Sequence, residues 1–513
     1  MSKRKYLICN FIFSIIIISL VSFLSCKEEP LSEETTNLNI GEYISGGRNV
    51  NSANYINAPG FPPFPGKAKW LGTVTGSWKN MGETLGEKSG EYIKSTADIW
   101  WSKICQQKGY KDTLKAMKLY NNQIAALDPD QIDFLKGMTE GASTWLDKSV
   151  YADKNNKFYA DNYTRLLCAS IWDVWLWGNP AFTNEGNLPG CNSLIVSGTA
   201  TIDRKTISTQ SQHTPHEGLC YQESYVLKPD KGNIVWTVGN LPSTNGLFLV
   251  NDKGVSIAHH FGGLTNPKSL EFHGGPYIAS AFGVPWWNVL LYAAVHANTA
   301  QEAIELITVG PKEYHDRTGR ASLLRDGGWN WMVADSKTMA VVEVSCDRYA
   351  IRYPGEFTGP NWTDKNYIVA ANHFLCDYSY DKNNMRTDVP MTIFNVNPGN
   401  SEDRFWTLMW DIKDRLGTID RYTVQHILST TYIRDKETGK RIYAAQDDKG
   451  DYVPFAYAKW GVQGIMAQGG LVGGTNASKM AVLDGENTMS AWTLGNPSDW
   501  EGAWDEFYFN SRR

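Results

Sequence analysis

The pattern of the chain changes at Gly190, and that change bounds what it can fold into. Ahead of it, from about 75 to 178, apolar residues recur at spacings of three and four. Thr113 to Leu127 and Asp130 to Thr144 read as amphipathic helices, with Asp128-Pro129 turning the chain into the second. After it come short β-branched or apolar runs bounded by Gly, Asn and Asp. Ser193 to Thr201, Asn233 to Val238, Leu247 to Val250, Val255 to Ala258, Met339 to Val344 and Tyr367 to Ala371 read as strands. A helix is expected from about Trp286 to Val309, with Thr299 and Glu302 as a capping box where its second half restarts, and another over Glu402 to Leu416. No internal repeat is visible, so a layered mixture of α and β follows. At 513 residues, 42% of them hydrophobic, the chain can bury a large core as one big domain or two to three small ones.

The first 25 residues read as a targeting segment. Met1-Ser-Lys-Arg-Lys5 is a positive start, and the apolar run Phe11 to Leu24 is too short for an ordinary membrane-spanning helix. It ends in Phe23-Leu24-Ser25-Cys26, which resembles the lipobox of bacterial lipoproteins and makes Cys26 the expected lipidation site. The following Lys27-Glu28-Glu29 lacks Asp at the second position, as in lipoproteins sent to the outer membrane, and also resembles surface-export tags. An outer-membrane lipoprotein facing the periplasm or the cell surface is expected. Residues 26–68 are polar and then Pro/Gly-rich, ending in Ala58-Pro-Gly-Phe-Pro-Pro-Phe-Pro-Gly66, and read as a tether.

A formal charge of −5, with acidic and basic residues interspersed, offers no basic face for nucleic acid. Beyond Cys9 and Cys26, six cysteines remain: Cys105, Cys168, Cys191, Cys220, Cys346 and Cys376. They form no dense framework of the kind that staples small secreted folds. His213, His216, His259, His260 and His273 share one half of the chain, but they lack metal-ligand spacings. Adjacent histidines on a strand also point to opposite faces, so no metal and no cofactor are expected. Trp172, Trp175, Trp177, Trp286, Trp287, Trp329 and Trp331 read mainly as core or interface, with an acyl or aromatic pocket as the alternative.

The chemistry concentrates at Leu188-Pro-Gly-Cys-Asn-Ser-Leu-Ile-Val196, where a rigid turn meets a cysteine at the start of a strand. If the Gly190–Cys191 bond breaks, Cys191 gains an α-amino group whose reference pKa of roughly 7.7–8.0 suits it to take the thiol's proton. Gly190-Cys-Asn-Ser-Leu-Ile-Val-Ser-Gly-Thr-Ala-Thr-Ile-Asp203, running on to Gln210, resembles the nucleophile hairpin of the acyl-coenzyme A:6-aminopenicillanate acyltransferase family. These are N-terminal nucleophile hydrolases related to choloylglycine hydrolases and acid ceramidase. The resemblance extends in order over nearly the whole mature chain. Met81-Gly-Glu-Thr-Leu-Gly86 and Gly137-Met-Thr-Glu-Gly-Ala142 are similar to the family's two glycine motifs, and Asn251-Asp-Lys-Gly-Val-Ser256 to its central hairpin. Gly283-Val-Pro285, Ala300-Gln-Glu-Ala303, Val333-Ala-Asp335, Val341-Val-Glu-Val344, Ala371-Asn-His-Phe374, Ser401-Glu-Asp-Arg404 and Gly495-Asn-Pro497 complete the series.

The resemblance implies an α+β fold, a four-layer αββα sandwich with an α-rich N-terminal segment. It implies self-cleavage between Gly190 and Cys191 into an α chain (69–190) and a catalytic β chain (191–513) that stay associated. Cys191 would be the nucleophile, Asn372 an oxyanion donor and Arg404 an orienting residue. Two positions depart from the family pattern. Aligned without gaps, His213 replaces a carboxylate that orients the amine, and His260 replaces a second oxyanion asparagine; both can donate a hydrogen bond. The implied activity is hydrolysis of a small-molecule linear amide, or transfer of its acyl group, through a thioester on Cys191. Three alternatives stay open: a phospholipase B-like lipid hydrolase, a hydrolase of short peptides, and a catalytically lapsed binding lipoprotein on the same fold.

Overall fold

The computed structural model describes residues 41–46, 68–171, 190–214, 222–242, 246–261, 283–345, 348–356, 362–372, 375, 401–428, 430, 432–442, 445–446, 452–453, 475–494 and 504–510. Cys26, the Leu188-Pro189 turn, Trp172, Trp175, Trp177, His216, His273, Cys220, Cys346, Cys376, His373-Phe374 and Gly495-Asn-Pro497 lie outside the described residues.

Before Gly190 come β1 (Glu42–Ile44), β2 (Lys69–Gly76) and four long helices, α1 (Trp78–Lys108), α2 (Tyr110–Leu127), α3 (Pro129–Gly141) and α4 (Asn162–Ser170). From Gly190 onward the order is β3 (Gly190–Val196), β4 (Thr206–Thr214), β5 (Gln222–Pro229), β6 (Val235–Asn240), β7 (Gly246–Asn251) and β8 (Ser256–Phe261). Then follow α5 (Trp286–His296), α6 (Ala300–Thr308), β9 (Gly328–Ala334), β10 (Met339–Ser345), β11 (Arg348–Arg352) and β12 (Tyr367–Ala370). The chain continues with α7 (Ser401–Lys413), α8 (Arg421–Leu428), β13 (Thr475–Leu483), β14 (Met489–Leu494) and β15 (Asp505–Tyr508).

The strands make a seven-stranded sheet, ordered β1-β15-β14-β13-β4-β3-β12, and an eight-stranded sheet, ordered β11-β10-β9-β8-β7-β6-β5-β2. Pairings are antiparallel except β2 with β5. Strand alternation sends each sheet's side chains to two different layers. Ile195, Ile368, Ala481 and Trp492 of the first sheet meet Val226, Trp236, Phe248, Met332 and Val341 of the second in one apolar cluster between the sheets. The neighbouring residues face outward. Leu194, Val196, Val369 and Met480 pack on α7 and α8, whereas Tyr225, Leu249, Ile257 and Val342 pack on the helices α1 to α6. The fold is therefore an αββα sandwich.

The glycine motifs of α1 and α3 have a direct structural reason. A Cβ on Gly82 would stand 2.1 Å from Phe134 O and one on Gly86 2.4 Å from Met138 O. On the facing helix, Gly137 would meet Lys79 O and Gly141 would meet Glu83 O, each at 2.0 Å. Backbone touches backbone, and only glycine leaves the room.

Several boundaries differ from the sequence reading. The strand expected over Ser193 to Thr201 begins at Gly190 and ends at Val196, because Gly198 turns left-handed at φ 55° and opens a short 3-10 turn. The helix expected over Trp286 to Val309 breaks at Ala297, and the restart is capped as the spacing suggests. Thr299 Oγ1 accepts from Glu302 N at 3.1 Å, while Glu302 reaches back to Asn298 N at 2.8 Å. The helix expected over Asp130 to Thr144 stops at Gly141, and Ser143–Leu146 forms a separate turn. The span 26–68 is not a tether throughout, since Glu42–Ile44 pairs with β15 at the edge of the first sheet. Likewise the α-rich segment opens with a strand, β2, at the edge of the second. No helix among the described residues is long and apolar enough to cross a membrane.

Candidate active site

Cys191 is the second residue of β3, between β4 and β12, and alternates in phase with Ile195 of the inter-sheet core. Its thiol therefore lies on the face turned toward the other sheet, where it is 6% exposed. The β12 ladder ends at the pair Ala370–Ser193, so no strand residue of β12 stands opposite Cys191. A side chain takes the ladder's place: Asn372 Oδ1 accepts from Cys191 N at 2.5 Å.

Arg404, from the first turn of α7, fixes this arrangement. One guanidinium nitrogen donates to Cys191 O and the other to Asn372 Oδ1 at 2.9 Å. With two donors on its oxygen, the Asn372 carboxamide is oriented and its Nδ2 is turned away from the Cys191 nitrogen. The backbone around Asn372 is held as well. Asn330 Nδ2 donates to Ala371 O at 2.9 Å, and the buried Glu343 carboxylate accepts from Leu375 N at 3.0 Å. Glu343 is itself paired with Arg352 Nε at 3.2 Å, whose Nη2 donates to Val369 O on β12. Glu343, of the quoted Val341-Val-Glu-Val344, is thus tied to Leu375, the residue after the quoted Ala371-Asn-His-Phe374.

His260 lies on β8 in the facing sheet. Its ring nitrogens stand 2.5 Å from Ser193 Oγ and 3.2 Å from Asn330 O. Complete burial pushes its pKa down to about 3, so the ring is neutral at ordinary pH. The described contacts place it against Ser193, two residues along β3 from the cysteine. His259 points to the opposite face, as strand alternation requires. It stacks on Trp286 at 3.5 Å between ring centres and accepts from Trp331 Nε1 at 3.1 Å. His213 pairs in register with Gly190, and its side chain is outside the described residues. The cross-strand partner of Cys191 is Gln212.

The sequence reading missed a buried lysine. Lys479 on β13 is 0% exposed and donates to Gln210 Oε1 at 3.0 Å and Gln212 Oε1 at 3.1 Å. Gln222 Nε2 donates to the same Gln212 oxygen at 3.0 Å, and Gln210 Nε2 to His259 O at 3.3 Å. Burial pushes the Lys479 ammonium down to about 7, against the charge of the Cys191 thiolate, which raises it. Only a faint signal pointed here: an uncharged polar run, Ser208 to Gln212, in the strand that follows the cysteine, and one cation leading the apolar Met480 to Leu483.

Cys105 and Cys168 are also buried free thiols, but they lie in the helical layer, and burial holds both well above the usual thiol range. Among the described residues no group of three or more His, Cys, Asp or Glu side chains is placed to hold a metal ion.

No family model matches the chain, and no curated protein matches it. Among solved structures it is similar to a Caenorhabditis elegans N-acylethanolamine-hydrolyzing acid amidase ortholog, at 11% identity and a TM-score of 0.32, over 47% of this chain and 86% of that one. It is also similar to a mutant of the conjugated bile acid hydrolase of Clostridium perfringens, at 12% identity and a TM-score of 0.34, over 59% of this chain and 89% of that one. Likeness at that level bears on neither chemistry nor substrate, and the sandwich assignment stands on the two sheets and their outer helices.

Proposed function

We propose that this protein is a self-processing cysteine hydrolase of carbon–nitrogen bonds. In this reading it cuts itself between Gly190 and Cys191 and then attacks a linear amide through a thioester on Cys191. The observation that carries the reading is the triple contact at the head of β3, where Asn372 receives the Cys191 N–H and Arg404 holds both the Cys191 carbonyl and the Asn372 oxygen. Beyond the end of the β12 ladder the buried Cys191 N–H takes its partner from Asn372, a side chain that Arg404 also holds. After the cut the same contact would keep the freed amine within reach of the thiol.

In the cut protein the α-amine takes the thiol's proton, and the thiolate adds to the amide carbonyl. Asn372 then has a task at each end: Oδ1 holds the amine, and Nδ2 is the donor for the oxyanion. Arg404 keeps that carboxamide from flipping. The amine returns the proton to the leaving nitrogen, and water hydrolyses the thioester. His260, neutral and engaged with Ser193, supports β3 from the facing sheet rather than supplying a charge, and His213 is the remaining residue assigned to orienting the amine. We further propose that lipid on Cys26 anchors the chain to the outer membrane, and that the two chains stay associated after the cut.

The test is the intact mass of the purified, signal-free protein, with N-terminal sequencing of each fragment, for wild type and Cys191→Ala. Two chains in wild type, one starting at Cys191, and a single chain in the variant are expected. An uncut wild-type chain would overturn the reading in favour of a binding protein on this fold. For the anchor, Cys26→Ala should move the protein from the membrane to the soluble fraction.

A further inference from the structure

The proposed maturation leaves one step without an agent. Until the bond is cut, the nitrogen of Cys191 is an amide, whose lone pair is delocalised into the carbonyl and does not accept a proton. The cysteine therefore cannot serve as its own base in the first turnover. The base must come from elsewhere.

We propose that Lys479 is the proton acceptor for the Cys191 thiol during self-cleavage. The proposal rests on the functional reading above and deepens it. Lys479 sits on the inner face of β13, in phase with Ala481 and Leu483, while Cys191 sits on the inner face of β3, and only β4 lies between them. Its Nζ is turned back over β4, where Gln210 and Gln212 accept from it at 3.0 and 3.1 Å, and Gln212 is the cross-strand partner of Cys191. Two acceptors match the two N–H bonds of a neutral amine and leave its lone pair for a proton, whereas an ammonium would have a third donor to place.

Among the described residues, the charged and titratable groups that act on this region are the Cys191 thiol from β3, His260 from β8 and Arg404 from α7. The histidine is neutral. Arg404 is occupied by Cys191 O and Asn372. Among the described residues no carboxylate pairs with Lys479, and burial brings it down to about 7, within reach of a thiol.

The Cys191 S–H proton passes to Lys479 Nζ, and the thiolate adds to the carbonyl carbon of Gly190. The bond from that carbon to the Cys191 nitrogen breaks, and Lys479 returns the proton to the departing nitrogen, leaving a thioester between Gly190 and Cys191. Water hydrolyses the thioester, giving the Gly190 carboxylate, the free thiol and the free α-amine, which thereafter does the lysine's work.

The test follows self-cleavage of the signal-free full chain, made by cell-free translation and chased across about pH 5.5 to 8.5, by intact mass. The wild-type rate should fall about tenfold for each pH unit below about 7. Lys479→Met and Lys479→Arg should both be slower by at least ~100-fold, the arginine because it keeps the charge but cannot accept a proton. Arginine at wild-type rate would overturn the proposal by showing that charge alone suffices. Both variants cut at wild-type rate with the wild-type profile would also overturn it, while leaving the functional reading intact. A wild type that is never cut would sink both. Melting by circular dichroism checks that each variant folds; should Lys479→Met fail to fold, a wild-type rate that is flat across the pH range overturns the proposal on its own.

Discussion

The layer between the two sheets contains two regions that differ in how they are held together. On one side of it, Tyr43 stacks on Trp70 at 4.6 Å, Trp236 lies 5.0 Å from Trp492, and Phe507 closes the cluster. On the other, Cys191, Ser193, Gln210, Gln212, His260 and Lys479 fill the same layer with polar atoms. The two sides meet at the cross-strand pair Lys479 and Trp492. Apolar contacts are additive and non-directional, so the aromatic region contributes stability in proportion to area. A buried polar atom is tolerable only when its particular partner is present, so the polar region contributes orientation and tolerates little change. Stability and chemistry are thereby separated within one layer.

The largest expected effect breaks the aromatic side. Trp236→Ala should cost about 3–5 kcal/mol in chemical denaturation while the folded fraction still cuts itself at the wild-type rate. Should it slow cutting more than any polar-side variant, the separation does not hold. Next, Arg404→Lys keeps a cation but loses the two-pronged grip on Cys191 O and Asn372. Amide turnover should drop about 10²–10³-fold with the melting temperature within a few degrees of wild type.

Acid should then find the polar side first. His260 has its pKa lowered by burial from 6.5 to about 3, so between those values the unfolded chain binds the proton that the folded one refuses. The stability this linkage preserves is complete above about pH 6.5 and is lost as the pH falls toward about 3. Melting temperatures between about pH 7 and 4 should therefore fall less steeply for His260→Gln, although His259, shifted the same way, keeps part of the slope. An unchanged slope would mean the imidazole is not what acid attacks.

Two smaller effects lie outside the layer and calibrate it. Gly137→Ala would push α3 off the Lys79 carbonyl and should cost about 1–3 kcal/mol. Thr299→Ala removes only the cap of α6, worth about 1 kcal/mol by thermal melting. Neither should change the rate of self-cleavage.

This division also explains what could be read from the residues alone. The helices over 110–127 and 300–308 were legible because apolar spacing and capping residues are local signals. So were strands such as Met339–Ser345, whose β-branched residues fill both faces between a helix layer and a sheet. The residue pattern did not mark Thr206–Thr214 or Thr475–Leu483 as strands, although the resemblance put the first, as far as Gln210, in a hairpin, because at the site their inward positions are Gln210, Gln212 and Lys479, which locally resemble solvent-facing residues. The site residues on quoted motifs, Cys191, Asn372 and Arg404, come together in space, whereas Lys479 is only faintly marked until β13 is laid beside β4. Strand neighbours that are 267 residues apart in sequence leave no local trace.

The two strands described before Gly190 sit at the edges of different sheets, β1 beside β15 and β2 beside β5. Were the chain cut before Cys191, the smaller piece would hold a margin of each sheet as well as helices α1 to α4. Leaving would require it to unzip both margins and strip the outer face of the second sheet. Once unfolded, the two pieces would diffuse apart, and refolding would become an encounter between separate molecules. Maturation would thus turn reversible folding into a one-way event, and the lifetime of the finished protein would be set by how slowly those margins open rather than by an equilibrium.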